Sequence, residues 1–216
     1  MTVPTADPHY TAVSLLIDRS GSMTVIHTAA QDAINEFILG QASAAQQHAD
    51  KRTIRLATFD HTLELVHESR PAGECPKFIL DPRATTALLD SMGRTIVDFG
   101  RELAAMDPNE RPDTVIFAVM TDGLENASRE YKYDQIAAMV RHQETSYNWQ
   151  FLYLGANQDA IRTGESLGID RDHSLTYRAT DSGTHSVMDS MSTYVASAAA
   201  GADPVFSDED RQNATQ

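Results

Sequence analysis

The chain has 216 residues, 41% of them apolar and 22% charged, which is long enough for one large buried core and too apolar for disorder throughout. Its 17 basic residues stand against 31 acidic ones, a formal charge of -14, which disfavours nonspecific binding to nucleic acid or to an anionic membrane surface because both need a positive field. The same field repels an acidic ligand unless a local cation overcomes it at short range.

From the amino end, Met1 to Tyr10 lacks a basic start followed by an apolar run, so it does not read as a signal peptide. Ala12 to Ile17 is a nearly continuous apolar run, the pattern of a strand covered on both faces of a parallel sheet. It ends at the polar loop Asp18-Arg19-Ser20-Gly21-Ser22. Apolar residues at Val25, Ala29, Ala33, Ile34, Phe37 and Ile38 then predict a helix over Met23 to Leu39, stopped at Gly40. Thr53 to Phe59 and Leu63 to Val66, joined by Asp60-His61, read as an antiparallel hairpin. Residues 71–84 read as a loop, which contains the single cysteine, Cys75. With no disulfide available, no signal peptide and no stretch of about 18 apolar residues to span a membrane, a cytoplasmic setting is expected.

A second helix is predicted from near Thr86, carrying Leu88, Leu89, Met92, Ile96, Val97 and Leu103. Thr114 to Met120 is another buried strand, and Thr121-Asp122-Gly123 follows it. A third helix is predicted over Arg129 to Gln143, a strand over Trp149 to Leu154, a short helix over Ala160 to Leu167, an edge strand over Ser174 to Tyr177 and a final helix over Val187 to Ala200. Residues 203–216 are acidic and polar and read as a flexible tail beyond a single domain spanning residues 1–202. This alternation predicts a doubly wound α/β domain. The expected sheet is mostly parallel, with one antiparallel edge strand and helices on both faces. Ligands of such a fold sit at the carboxyl ends of the strands.

Three polar clusters fall at those ends: Asp18 to Ser22, Thr85-Thr86 and Asp122. Asp18 and Asp122 offer carboxylate oxygens, and Ser20, Ser22 and Thr86 offer hydroxyls. An all-oxygen set without His or Cys suits a hard cation, Mg2+ first and Mn2+ or Ca2+ as alternatives, rather than zinc. Asp, Ser and Thr are also common after strands as helix caps, so each residue alone is weak support for a ligand. Arg19, Thr85, Gly123, Glu125 and Asn126 are candidates for the rim or for support behind the ligands. Arg19 is read as orienting an anion or pointing to solvent, Thr85 as a helix cap or supporting donor, and Glu125 and Asn126 chiefly as solvated loop residues.

Asp18-x-Ser20-x-Ser22 followed by Met23, the stretch Thr86 to Asp90 (Thr-Ala-Leu-Leu-Asp) and Thr121-Asp122-Gly123 after a strand together resemble the metal-ion-dependent adhesion site, or MIDAS, of von Willebrand factor A domains. The resemblance covers roughly residues 8 to 200 and extends, more loosely, to small intracellular bacterial and phage-type members in Gly155-Ala156-Asn157-Gln158-Asp159. It implies a Rossmann-like fold and one divalent cation held directly or through water by Asp18, Ser20, Ser22, Thr86 and Asp122. It also implies a protein partner whose Asp or Glu completes the shell.

The expected function is a non-enzymatic, metal-dependent protein-binding module. One alternative is an Mg2+-dependent phosphohydrolase. Haloacid-dehalogenase-type phosphatases carry a second Asp two positions after the first, where this chain has Ser20, which cannot do that acid/base work. A phosphate-cradling Gly-x-x-x-x-Gly-Lys motif is also absent. The other alternative is an accessory subunit of a separate AAA+-type ATPase.

Overall fold

Residues on strand β1 (Tyr10–Asp18) are buried without exception, and their side chains alternate between two separate cores. Val13, Leu15 and Ile17 enter one, and Tyr10, Ala12 and Leu16 enter the other. A strand sandwiched this way must lie in the middle of a sheet covered on both faces. The computed structural model describes residues 9–216, so the reading of the N-terminus as lacking a signal peptide falls largely outside the described residues.

The sheet has six strands in the order β3-β2-β1-β4-β5-β6. They span Lys51–Phe59 (β2), Leu63–Pro71 (β3), Thr114–Thr121 (β4), Gln150–Ala156 (β5) and Ser174–Tyr177 (β6). All neighbouring pairs are parallel except β2 and β3, the expected hairpin at one edge. Helices α1 (His27–His48), α5 (Asp181–Ala199) and α6 (Asp208–Ala214) pack on one face, and α2 (Leu88–Ala104), α3 (Tyr133–Tyr147) and α4 (Ala160–Ser166) on the other. The predicted doubly wound α/β architecture is the one observed.

Strand β3 runs on to Pro71 rather than ending at Val66, and three helices differ in extent from expectation. Helix α1 is preceded by a short 3-10 turn over Gly21–Val25, and it runs through Gly40 to His48. Its added turns are anchored by buried Gln41, which accepts from Arg52 Nη1 at 2.7 Å, and this outweighs the roughly 1 kcal/mol that a mid-helix glycine costs. Helix α3 starts at Tyr133 rather than Arg129, because the Asp90 carboxylate accepts the backbone N–H groups of Arg129, Glu130 and Tyr131 and holds that segment in a non-helical bend beside α2. Helix α5 starts six residues early, capped by Thr180, whose hydroxyl accepts the Gly183 N–H.

The carboxyl-terminal segment, expected to be loose, is built into the molecule. Ser207 caps α6 with Asp210 in a reciprocal capping box. Phe206 and Ala214 are buried, the Phe206 ring meets Tyr194 at a 5.4 Å centroid distance, and Arg211 reaches the carbonyls of Ser174 and Arg171. Phe206, the one aromatic residue of this mostly polar stretch, is the anchor. Among the described residues no helix is long and apolar enough to cross a membrane.

Candidate metal centre

The register β1/β4 pairs Ile17 with Met120, so Asp18 and Thr121 emerge side by side where β1 meets the neighbouring crossovers. This is the switch point at which a parallel sheet leaves a crevice. Asp18 is fully buried. Its Oδ1 accepts the Ser20 N–H at 2.6 Å, and its Oδ2 accepts the Thr121 hydroxyl at 2.5 Å. The Ser20 and Ser22 hydroxyls lie 3.0 Å apart, and Ser22 donates to Asp122 Oδ1 at 2.6 Å. A chain of contacts thus runs from Asp18 through the Ser20 N–H and then through the Ser20 and Ser22 hydroxyls to Asp122.

Thr86 arrives from the loop before α2, and Gly123 shows where it sits. A Cβ on Gly123 would lie 2.7 Å from Thr86 Oγ1, 3.3 Å from Asp18 Oδ2 and 3.4 Å from Ser20 Oγ. Three candidate ligand oxygens converge on the space that only a glycine leaves free, so the glycine after Asp122 is a requirement of the site. The five residues Asp18, Ser20, Ser22, Thr86 and Asp122 all gather at this strand end. Among the described residues no group of three His, Cys, Asp or Glu side chains forms a metal-holding cluster. The set here has two carboxylates and takes its remaining oxygens from hydroxyls, the donor chemistry of a hard cation with solvent or ligand filling the remainder.

Electrostatics agree with that chemistry. Burial pushes the Asp18 carboxyl up to about 6, against the opposing hydrogen bonds from Thr121 and Ser20, and the Asp122 charge adds to the rise. Burial likewise raises Asp122, with the Ser22 hydroxyl opposing it. Two carboxyls held together in a half-dry crevice with no cationic side chain bonded to either are destabilised as anions, and a divalent ion relieves this. Beneath them the hydroxyl of Tyr177 is fully buried with no hydrogen-bond partner among the described residues.

The supporting residues act differently from expectation. Arg19 neither faces solvent nor awaits an anion. It is buried, and it donates to Asp60 Oδ2 at 3.0 Å and to Glu64. Asp60, read from the sequence as a mere hairpin turn, is fully buried and also accepts from Arg83 Nε at 3.0 Å and from Thr62. Burial opposes its ionisation, but the Thr62 N–H, the Arg83 and Thr62 side chains and the Arg19 charge together hold it below the ordinary carboxylate range. The Asp60 carbonyl accepts the Ala87 N–H, while Gly21 N–H reaches the Ala84 carbonyl and Arg83 N–H the Arg19 carbonyl. The hairpin tip therefore fastens the first ligand loop to the second.

Thr85 is exposed and does not cap α2, whose N-cap is Ala87 without a side-chain bond. Glu125 and Asn126 act as clamps, Glu125 while half-buried and Asn126 while exposed, as a solvated loop residue would be. Asn126 Oδ1 accepts the Thr86 N–H at 3.1 Å, and Asn126 N–H returns to the Thr86 carbonyl at 3.0 Å. Glu125 accepts the N–H groups of Leu89, Ala127 and Ser128. Gln158, in the stretch after β5, approaches the Gly123 carbonyl at 3.5 Å. Sequence reading missed Thr121, Asp60 and Asp90. For Thr121 the signal was present, since a hydroxyl at the last position of a buried strand must find a partner.

No protein-family model matches the chain, and no curated protein matches it in sequence. Solved structures do match in shape. The vWF domain of the type V pili tip protein Mfa5 from Porphyromonas gingivalis superposes with a TM-score of 0.63 at 11% identity, covering 88% of this chain and 96% of that one. The von Willebrand factor type A protein from Catenulispora acidiphila gives a TM-score of 0.58 at 14% identity, covering 87% of this chain and 43% of that one. Proximal thread matrix protein 1 from the mussel byssus, in a form with a zinc-occupied MIDAS motif, gives 0.54 at 11% identity, covering 89% and 45%. This chain thus spans nearly all of the pilus domain and under half of the other two chains. With its mostly parallel six-stranded sheet, one antiparallel edge pair and helices on both faces, the chain has the von Willebrand factor A-type fold.

Proposed function

We propose that this chain is a non-enzymatic binding module that holds one divalent cation, Mg2+ foremost, at Asp18, Ser20, Ser22, Thr86 and Asp122, and through it grips an Asp or Glu carboxylate on a protein partner. The observation that carries the reading is the space over Gly123, where oxygens from two ligand loops converge beside a linked pair of raised carboxyls. A bound cation supplies positive charge and an open position for an anionic oxygen. The chain's own residues do the rest. Asp60 and Arg19 fix the first loop, Asn126 fixes Thr86, and Gly123 keeps the space open. The resemblance in sequence and the zinc-occupied MIDAS motif of one structural neighbour support the same reading. The single cysteine, Cys75, supports a cytoplasmic setting. Zinc fills the motif in that neighbour, whereas the all-oxygen donor set of this chain favours Mg2+.

The test is calorimetric titration with Mg2+, Mn2+ and Ca2+, followed by affinity capture from the host's lysate. Expected is one saturable site, abolished in Asp18→Ala, and a partner retained with Mg2+ but lost with EDTA or with Asp18→Ala. No saturable binding of any of the three ions would overturn the reading. A partner captured equally in all lanes would show that its contact does not run through the metal.

A further inference from the structure

At the opposite end of the sheet, near the amino ends of β4 and β5, a cleft of about 360 Å3 opens between α2 and α3. Its walls include Ile96 and Leu103 from α2, Met139 from α3, Val115 from β4 and Trp149 just before β5. Ile96, Leu103, Val115 and Trp149 belong to the buried core, yet they face this opening. The volume lies at the lower end of the roughly 300–1,000 Å3 typical of small-molecule sites, which are mostly apolar with a few placed polar groups.

Two observations distinguish this cleft from an ordinary packing gap. The first is charge. The chain carries 31 acidic residues against 17 basic ones, yet the lining includes Arg101, Arg111 and His142 and no carboxylate. Arg111 spends one N–H on the Ala104 carbonyl and keeps its remaining donors free of hydrogen bonds among the described residues. Among the described residues Arg101 has only Asp98, one turn back on its own helix at 3.5 Å. Two arginines thus stand at an apolar cleft on a strongly acidic molecule, while the carboxylates near them, Asp98, Glu110 and Asp113, stay out of its lining.

The second is Gly100, in the interior of α2 on the cleft wall. A Cβ there would meet nothing closer than Trp149 Cη2 at 4.0 Å, ordinary contact. Packing does not demand this glycine, although it costs the helix roughly 1 kcal/mol. Gly93 in the same helix is different, because a Cβ there would strike the Tyr131 ring at 2.7 Å. The absent side chain at Gly100 leaves the cleft open.

From this geometry we propose that the α2–α3 cleft binds a small amphipathic anion, an apolar-tailed carboxylate of medium chain length. The tail lies against Trp149 and Leu103, and the carboxylate meets Arg111 and Arg101. The bidentate fork of arginine suits a carboxylate head, and the confined volume suits a single chain rather than a folded partner. The site is separate from the candidate metal centre and does not depend on it.

Trp149 is the only tryptophan of the chain, so its fluorescence reports the cleft directly. The test is equilibrium dialysis of the full chain against decanoate below its micellar concentration, with Trp149 emission followed in parallel. Expected is retention of about one decanoate per chain, unchanged by EDTA, with an emission change of the same midpoint. Arg101→Glu combined with Arg111→Glu should weaken retention at least tenfold, and decyltrimethylammonium should not be retained. Gly100→Leu, which fills the cleft without touching its charges, should also lose decanoate; this second variant keeps the test decisive if the charge reversal unfolds the chain. Absence of retention, equal retention of the cationic amphiphile, or undiminished binding by Gly100→Leu would each overturn the proposal.

Discussion

Gly123 is the residue on which the candidate metal centre is most exposed to test. Its replacement by Ala would place a Cβ 2.7 Å from Thr86 Oγ1, a distance that forces Thr86 or the loop to move. Gly123→Ala should weaken Mg2+ binding at least tenfold by calorimetry while the circular dichroism spectrum stays folded. Asp18 makes a second prediction, through pH. Its carboxyl is raised to about 6 by burial, above the ordinary value of about 3.9. A group whose folded pKa is raised favours the fold while protonated, and that contribution is lost as pH rises through the folded value. The metal-free chain should therefore lose stability from Asp18 between about pH 4 and 6. Cation binding needs the ionised form, so Mg2+ should raise the melting temperature at pH 7.5 and have little effect at pH 4.5, as differential scanning fluorimetry can check. Asp60 differs in kind, because its role is to hold two arginines. Asp60→Ala removes the buried carboxylate shared by Arg19, Arg83 and Thr62 and leaves Arg19, whose side chain is only 8% exposed, with Glu64 as its remaining carboxylate partner. Breaking a buried pair of this kind costs about 3–5 kcal/mol. Urea denaturation should show a loss of that size, whereas His61→Ala beside it should change little.

Among the elements, the link between α2 and the start of α3 centres on one carboxylate, with the Arg94–Glu130 pair and the Ser128 hydroxyl beside it. Asp90 accepts three backbone N–H groups, from Arg129, Glu130 and Tyr131. Burial opposes its ionisation, but those three donors and the nearby Arg94 charge hold its pKa below the ordinary range. A lowered carboxylate adds stability above its unfolded value of about 3.9 and loses it as pH falls through the lower folded value. Asp90→Ala loses hydrogen bonds whose N–H groups lie largely at the surface and can turn to water, at about 0.5–1.5 kcal/mol. The variant should melt earlier at pH 7 and differ less from the parent near pH 3. Hydrogen exchange should quicken at residues 129–131 before it does in β4, because only the clamp is lost while the strand ladder remains.

For the whole molecule, the decisive element is the carboxyl-terminal segment. Phe206 is 4% exposed and packs on Tyr194, and the Arg178 N–H reaches the Ala214 carbonyl beyond the end of β6. The segment closes over the end of the sheet opposite the β2–β3 hairpin. Phe206→Ala should cost about 3–5 kcal/mol, the usual range for a buried phenylalanine. Deleting residues 203–216 should lower the melting temperature by at least as much. A truncated chain as stable as the full one would show that the segment adds nothing to the fold.

The sequence by itself determined the alternation of buried strands and amphipathic helices, the antiparallel hairpin and the five oxygen-bearing residues of the strand ends. These are local signals. A strand covered on both faces must be apolar throughout, and a polar residue at its end must face the crevice. Only the tertiary structure decided what the supporting residues do. Arg19, Glu125 and Asn126 are polar loop residues in sequence, and nothing local distinguishes a solvated side chain from one that bonds a backbone 40 positions away, as Asn126 does with Thr86. The same holds for Asp60 and Asp90, whose partners come from other loops. It holds too for the terminal helix, where a single Phe206 in an acidic stretch becomes an anchor only because α5 and β6 provide the surface that buries it.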